Sequence, residues 1–390
     1  MPPLVVYITG FRQHAGKTVT SLGLISLFQK IMDPKDIGYI KPVGQELVAL
    51  ADGLKIDKDA RIIQEFSNIP DIDLNMVSPV RLGSGFTRKY LASPDPRSET
   101  LRLENLILDS LKALSHKKVV VAEGTGHPGV GGIVGLSNAK VASLMNAEII
   151  FLSGGGIGKA LDMLEVDLSY FLYKKTRVRG IIFNKLIPKK IPTMTNYITE
   201  DLLNQKYGAF GGPLSILGFL PQIDILSHPS MKAIATHFTD SFEIGNSNDD
   251  SWKQPCDKIT VISLTARFLR LEKYLEANTL VIVAASSARR IINICRYHNK
   301  LRQTGAGLGG IILTCGENIP LDHNIRHGLE KSGIPALYVK EDTAAAEKII
   351  LEAYDSTKLQ VYDRQKLEEV KHLFAEYFDF DKFRKNFSIP

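Results

Sequence analysis

Short apolar runs, each closed by glycine, proline or a polar residue, recur along the chain at 4–9, 37–40, 118–122, 148–152, 178–183 and 215–220. They are too short for buried helices and rich in Val and Ile, so each reads as a strand buried on both faces. Between them lie longer stretches with helix-like patterning at 19–30, at 101–114 and from the loop after 152 through 172. Strands alternating with helices on this rhythm predict a mostly parallel sheet with helices on both faces. After an acidic, polar bridge at 239–254 the rhythm resumes: strands 259–264, 279–284, 310–314 and 336–339, helices 266–275, 287–298 and 320–331, and a further helix after Asp342-Thr343. The expected fold class is therefore α/β in two parts. A larger domain covers 1–225, a linker 226–256, a second, smaller α/β domain 257–355, and a helical extension 356–390.

The first strand breaks into Gly10-Phe11-Arg12-Gln13-His14-Ala15-Gly16-Lys17-Thr18 and then into a helix. This is the pattern of a phosphate-binding loop: glycines let successive backbone N–H groups point into one concavity, and Lys17 at the helix start adds a mobile positive charge where the helix dipole already favours an anion. The Thr18 hydroxyl follows at the position that reaches Mg2+. Five residues separate the glycines instead of the usual four, so a strict pattern search misses the loop.

Later strands end in candidate chemistry of their own. Lys41-Pro42-Val43 follows the second strand, which places Lys41 at its carboxyl end, where open parallel sheets bind ligands. Asp57 or Asp59 stands at the start of the next helix, a position where acids also serve as caps. The mixed segment 70–96 reads as a lid-like excursion. Glu123 sits at the tip of the third strand before Gly124-Thr125-Gly126-His127, in the position of a magnesium-organising acid, and His127 is a candidate base. The run Ser153-Gly154-Gly155-Gly156-Ile157-Gly158-Lys159 has the wrong spacing for a second phosphate loop and reads as backbone lining the nucleotide pocket. Asn184 closes the fifth strand, where a side-chain amide can match the edge of a purine.

Composition narrows the class without changing it. At 390 residues, 44% hydrophobic and 23% charged, the chain is that of an ordinary soluble protein of two domains. No stretch approaches the roughly 18 apolar residues of a membrane span, and no signal-peptide pattern opens the chain, so a cytoplasmic protein without a membrane partner is expected. Three cysteines, Cys256, Cys295 and Cys315, are too few and too scattered for a disulfide framework or a metal cluster. A net charge of +6 with dispersed lysines gives no nucleic-acid patch.

The segments Ile8-Thr9-Gly10 through Lys17-Thr18, Lys41-Pro42-Val43, Asp59-Ala60, Glu123-Gly124-Thr125-Gly126 and Asn184-Lys185 together resemble dethiobiotin synthetase and its relatives, which include the cobyrinic acid diamide synthases, over about residues 3–225. The resemblance implies a P-loop NTPase-like domain that takes ATP and Mg2+. It implies nucleotide contacts at Gly10, His14, Ala15, Gly16, Lys17, Thr18, Val19, Glu123, Gly124 and Asn184, the last facing adenine. It also implies a metal shell of Thr18, Asp59 and Glu123, catalytic roles for Lys17 and Lys41, and a homodimer or larger assembly of closed symmetry. The second half is similar to the DRTGG domain that accompanies this module in the amino-terminal half of long phosphate acetyltransferases. Its naming residues are altered: Ser287-Ala288-Arg289-Arg290 lacks the aspartate before arginine, and Thr314-Cys315-Gly316 replaces threonine and two glycines. The sequence stops at Pro390, before a transacetylase domain would begin, so transacetylation is not expected. Phe11-Arg12-Gln13-His14-Ala15 and Gly44-Gln45-Glu46 depart from the family where dethiobiotin synthetase grips its substrate, so the nucleotide half of the site looks kept and the substrate half rebuilt. The expected function is γ-phosphoryl transfer from ATP to a small-molecule carboxylate or carbamate, as in a ligase; the alternative is a nucleotide-sensing regulatory module.

Overall fold

The computed structural model describes residues 2–50, 53–70, 72–263, 270–317 and 320–389. The chain divides into two compact units, Met1–Gln222 with Arg364–Pro390, and Ile223–Asp363. In the first, β1 (Leu4–Gly10), β2 (Ile37–Ile40), β3 (Val119–Glu123), β4 (Glu148–Ser153), β5 (Val178–Leu186) and β6 (Ser215–Pro221) form one sheet in the order β6-β5-β4-β1-β3-β2. All its pairings are parallel. Ile8 pairs with Glu123 on one side and Ile150 on the other. From β1 the chain moves out to β2, returns to β3 and then crosses to β4 on the opposite flank. That reversal opens a crevice at the carboxyl ends of β1 and β3.

The flanking helices α1 (Lys17–Phe28), α2 (Lys58–Phe66), α3 (Pro96–Ala113) and α4 (Ile157–Tyr173) cover both faces. Helix α3 begins ahead of residue 101 because Asp95 Oδ1 caps it, accepting from the Ser98 N–H at 3.0 Å, with Pro96 in the first turn. The 70–96 segment is not an open lid. It folds into the short helices Leu74–Val77 and Phe86–Leu91, and Val80–Arg81 pairs in parallel with Val43–Gly44. Val77 and Val80 are buried, which anchors the segment to the body of the unit.

In the second unit, β7 (Phe242–Ile244), β8 (Lys258–Val261), β9 (Thr279–Ala284), β10 (Gly310–Thr314) and β11 (Ala336–Tyr338) lie in the order β7-β11-β10-β9-β8. Only the β7–β11 pairing is antiparallel. Its longer helices are α5 (Ala288–Arg302), α6 (His323–Ser332) and α7 (Thr343–Asp355), and the short helices Asp224–Ser227 and Met231–Ala235 precede its first strand. The 226–256 stretch expected as a linker belongs to this unit: it supplies edge strand β7 and buries Met231, Ile234, Trp252 and Cys256 in the core. Met231 and Ile234, with Phe238, keep the i, i+3, i+7 spacing of a helix, but the helix there runs only from Met231 to Ala235, too short to stand out before the polar residues that follow. Of the helix expected at 266–275, residues 264–269 lie outside the described residues, and the remainder holds a single 3-10 turn at Leu271–Lys273.

The last helices, α8 (Arg364–Tyr377) and α9 (Phe380–Phe387), return to the first unit instead of extending from the second. A Cβ on Gly23 of α1 would lie 2.2 Å from the Phe374 ring, so glycine there is what lets α8 seat against α1. Phe28 packs edge-on against Phe380 and at a tilt against Phe383, at centroid distances of 6.1 and 6.0 Å. The helix that opens with Lys17 is thus held from behind by the end of the chain. Among the described residues, no helix is long and apolar enough to cross a membrane.

Candidate functional site

The loop after β1 bends through His14 at φ 58° and Gly16 at φ 98°, then opens α1 at Lys17. Gly16 satisfies two constraints together: a left-handed backbone that favours glycine, and a Cβ position only 2.3 Å from Asn184 Nδ2. Asn184 Nδ2 donates to the Ala15 carbonyl at 2.8 Å, tying the loop to β5. Lys17, 8% exposed, turns back over the loop and donates to the Arg12 carbonyl at 3.2 Å. Val19, in the first turn of α1, is half-buried.

Beneath the loop a polar cluster is buried at the crevice. Thr18 Oγ1 lies 2.9 Å from both Asp59 Oδ1 and Glu123 Oε1. Lys41 Nζ donates to Asp59 Oδ2 at 2.7 Å, Glu123 Oε1 at 3.0 Å and the Gly124 carbonyl at 3.1 Å. These three acceptors use all three ammonium hydrogens. Glu123 Oε2 accepts from Ser21 Oγ at 2.8 Å and Tyr39 Oη at 3.1 Å, so the carboxylate is fixed from both sides. Asp57, the other acid left open at the helix start, serves the backbone: Oδ1 caps α2 by accepting from the Asp59 N–H at 2.9 Å, and Oδ2 accepts from Gln45 and Glu46 N–H at 3.0 and 3.3 Å. Capping at 57 is what turns Asp59 into the crevice.

Burial opposes charge on Lys41, yet Asp59, Glu123 and Asp57 outweigh it and hold its pKa well above the usual lysine value. Burial pushes Glu123 and Asp57 upward, with Lys41 pulling both down and Asp59 adding to the rise. Among these four groups one ammonium faces three carboxyls, an excess that a divalent cation would balance. The Thr18 hydroxyl makes the same point in geometry: its single hydrogen can serve only one of the two carboxylate oxygens equidistant from it. A hydroxyl and two carboxylates are the hard oxygen donors that Mg2+ takes, so Thr18, Asp59 and Glu123 fit that ion.

The crevice therefore gathers Lys17, Thr18, Lys41, Asp59, Glu123 and Gly124. Asn184 stands off from it, inside β5 instead of at its end, because the strand continues to Leu186. His127 lies on an exposed turn where its Nδ1 accepts from the Gly129 N–H at 3.2 Å, away from the buried cluster. Three residues that pattern reading passed over belong to the site's frame. Ser21 is one helical turn after Lys17, and Tyr39 shares a strand face with Lys41 by the two-residue period, so both spacings carried a signal. Asn138 carried none: it accepts from Tyr7 Oη and the Thr125 N–H, each at 2.9 Å, and donates to the Thr125 and His127 carbonyls at 2.6 Å, shaping the turn after Glu123.

Beside the loop a cavity of about 250 Å³ is lined by Phe11, Arg12, Ala15, Asn184, Lys185, Lys190 and others, including the backbone of Gly154, Gly155 and Gly156. The glycine run read from the sequence as pocket lining faces this cavity.

The model of the AAA domain family AAA_26, a P-loop NTPase family related to dethiobiotin synthetase, matches residues 5–230. Among solved structures, the CBS and DRTGG domains of the regulatory region of Clostridium perfringens pyrophosphatase, complexed with the activator diadenosine tetraphosphate, are similar at 16% identity and a TM-score of 0.26, over 39% of this chain and 63% of that one. The chain thus spans less than two thirds of that structure's length. The BceF tyrosine kinase domain is similar at 14% identity and a TM-score of 0.26, over 46% of this chain and 68% of that one.

Proposed function

The chain belongs to the AAA domain family, whose P-loop domain implies nucleotide binding, and on that premise we propose that it binds ATP with Mg2+ and transfers the γ-phosphoryl group to a carboxylate or carbamate of a small molecule. One observation carries the reading: Thr18, Lys41, Asp59 and Glu123 converge within 2.7–3.0 Å at the end of β3, directly below a loop that opens a helix with lysine. In this reading the loop N–H groups and Lys17 hold the phosphate chain, and Thr18, Asp59 and Glu123 would hold a Mg2+ ion, which would neutralise phosphate charge. The acceptor oxygen attacks the γ-phosphorus as its bond to ADP breaks, giving an acyl or carbamoyl phosphate whose carbon an amine can then attack, with inorganic phosphate leaving. Lys41 exchanges one protein acceptor for a phosphoryl oxygen as charge builds there. Asn184 turns its free amide edge toward adenine. The pocket is shared across a homodimer, as in the family the site residues resemble.

The same geometry also supports a second reading. Lys41 has every hydrogen committed to the protein, and a lysine kept there through the bound state would make a nucleotide sensor. Two variants separate the readings. Lys17→Ala loses nucleotide affinity in both. Lys41→Ala in the enzyme keeps ATP affinity within a few-fold while turnover with an acid or amine falls about a hundredfold, some 3 kcal/mol. Negligible ATP turnover by the unmodified protein across candidate acids and amines, with ATP bound, sinks the transferase reading and leaves the sensor.

A further inference from the structure

The cavity beside the loop, where Asn184 would meet adenine in the nucleotide reading, also carries positive charge that a neutral base does not use. Three cationic side chains, Arg12, Lys185 and Lys190, line it, and no acidic residue does. Among the described residues none of the three has a carboxylate within ion-pair distance. The Arg12 guanidinium lies 5.0 Å from the centroid of the Phe11 ring, which holds it at the wall. Lys185 keeps much of its surface in solvent, yet its ammonium end is crowded by protein; that burial, with Arg12 adding like charge, lowers its pKa. Gly156, which precedes α4 as its N-cap, also lines the cavity and has no side chain to accept from the first N–H groups of that helix. Arg12 and Lys185 thus repel one another across the cavity, a repulsion that a bound anion would relieve, and Lys190 adds a third positive group to its lining.

The 5′ phosphate chain is not that anion in the nucleotide reading, because the loop and Lys17 take it. At about 250 Å³ the cavity also falls short of the roughly 300–1,000 Å³ of a whole ligand pocket, so it holds part of a ligand whose remainder lies on the loop. It joins the loop through Ala15 and Asn184, which are bonded to each other. A mononucleotide seated this way has two further places to carry a phosphate, the 2′ and 3′ oxygens of its ribose. Arginine and lysine are the side chains suited to receive it.

We propose that this cavity binds a ribose phosphate, so that the ligand of the loop is an adenine nucleotide phosphorylated at the 2′ or 3′ position as well as along its 5′ chain. The inference rests on the nucleotide reading of the loop, and the test separates the two. Affinities of the full chain for ADP, adenosine 3′-phosphate 5′-diphosphate and its 2′ isomer are measured calorimetrically with Mg2+. At least one ribose-phosphorylated ligand is expected to bind tenfold or more tighter than ADP. The advantage should shrink as salt rises, and should fall several-fold in Lys185→Ala and again in Lys190→Ala, with ADP binding in each variant reporting an intact fold. ADP binding with no advantage for either isomer overturns this inference and leaves the nucleotide reading standing. Failure of all three to bind overturns both.

Discussion

Around the carboxyl ends of its strands, the first unit sets Thr18, Lys41, Asp59 and Glu123 in a buried web of charge, with contacts of 2.7–3.0 Å. The second unit, also built on parallel strands, places there a neutral pair, Thr314 and Thr343, whose hydroxyls meet at 2.9 Å, and Cys315 in a turn at φ 65°. The architecture is alike and the chemistry is not. A parallel sheet supplies a crevice, but buried charges held by hydrogen bonds decide what the crevice can do. The charged web is also costly to disturb, because removing one partner strands another in a low-dielectric site.

The largest expected effect follows from that cost. Glu123→Gln removes the charge shared by Thr18, Lys41, Ser21 and Tyr39 while keeping the side chain's shape. It should destabilise the protein by only about 1–2 kcal/mol, since Ser21, Tyr39 and Lys41 lose a charged acceptor while Asp59 still faces the ammonium, and should abolish the Mg2+ dependence of nucleotide binding. Denaturant unfolding measures the first and titration with and without Mg2+ the second. A loss under 1 kcal/mol with Mg2+ dependence intact would mean that Glu123 is not the centre of the web.

Tyr39→Phe tests the frame behind that acid. Tyr39 Oη donates to Glu123 Oε2, and a hydrogen bond to a charged group contributes about 2 kcal/mol. Besides that stability loss, the apparent Mg2+ affinity should weaken several-fold, because the carboxylate is free to rotate. A stability change without any shift in Mg2+ dependence would assign Tyr39 to packing alone.

How much of this was legible depends on what kind of signal each residue leaves. Strands at 37–40, 279–284 and 310–314 coincide with the observed ones because buried β-branched runs have sharp apolar boundaries. The loop and its lysine were readable because their chemistry is local in sequence. Asp57 and Asp59 were not separable, since two acids two residues apart differ only in which one caps the helix. The stretch before Lys258 read as a linker because its one periodic run, Met231, Ile234 and Phe238, is short and gives way to polar sequence before Trp252. The return of α8 and α9 to the first unit left no local trace at all: Gly23 gives no hint that Phe374 lies across from it.

Each unit also buries a lone ionisable group outside these sites, and the two respond to pH in opposite senses. Asp167 in α4 has Oδ2 unpartnered in the interior, and burial raises its pKa from 3.8 to about 7. His298 in α5 accepts from the Leu308 N–H through Nδ1, and burial lowers its pKa from 6.5 to about 4. For Asp167 the folded state holds a proton that the unfolded state releases, so its penalty grows as pH rises from about 4 to 7. For His298 the unfolded state binds the proton first, so stability falls as pH drops from 6.5 toward about 4. Asp167→Asn should therefore stabilise at pH 8 relative to pH 4 by about 2 kcal/mol, a value reduced from the full shift because solvent screens part of it. Unfolding free energies of both proteins across that range check it, and parallel curves would remove Asp167 as a source of the pH dependence.

The smallest effect lies in the neutral pair and brings the comparison to its sharpest form. Thr314 is fully buried and Thr343 only half-buried. Thr343→Val leaves the Thr314 hydroxyl without its threonine partner in the interior and should cost about 1 kcal/mol. Thr314→Val should cost less, because the Thr343 hydroxyl can turn to water. Replacing both removes the polar pair and keeps its shape, so the double variant should return close to the parent's stability. Such a cycle, read from denaturant unfolding, gives a coupling close to the sum of the two single-variant losses. The charged web should not behave this way: with Lys41 and Glu123 both replaced by apolar residues of similar volume, Asp59 and Thr18 stay behind, and the proposed nucleotide-linked Mg2+ binding should be lost whatever the stability does. If the Thr314/Thr343 losses simply add, their hydroxyls are not a closed pair, and the strand ends of the second unit hold polar groups with business beyond each other.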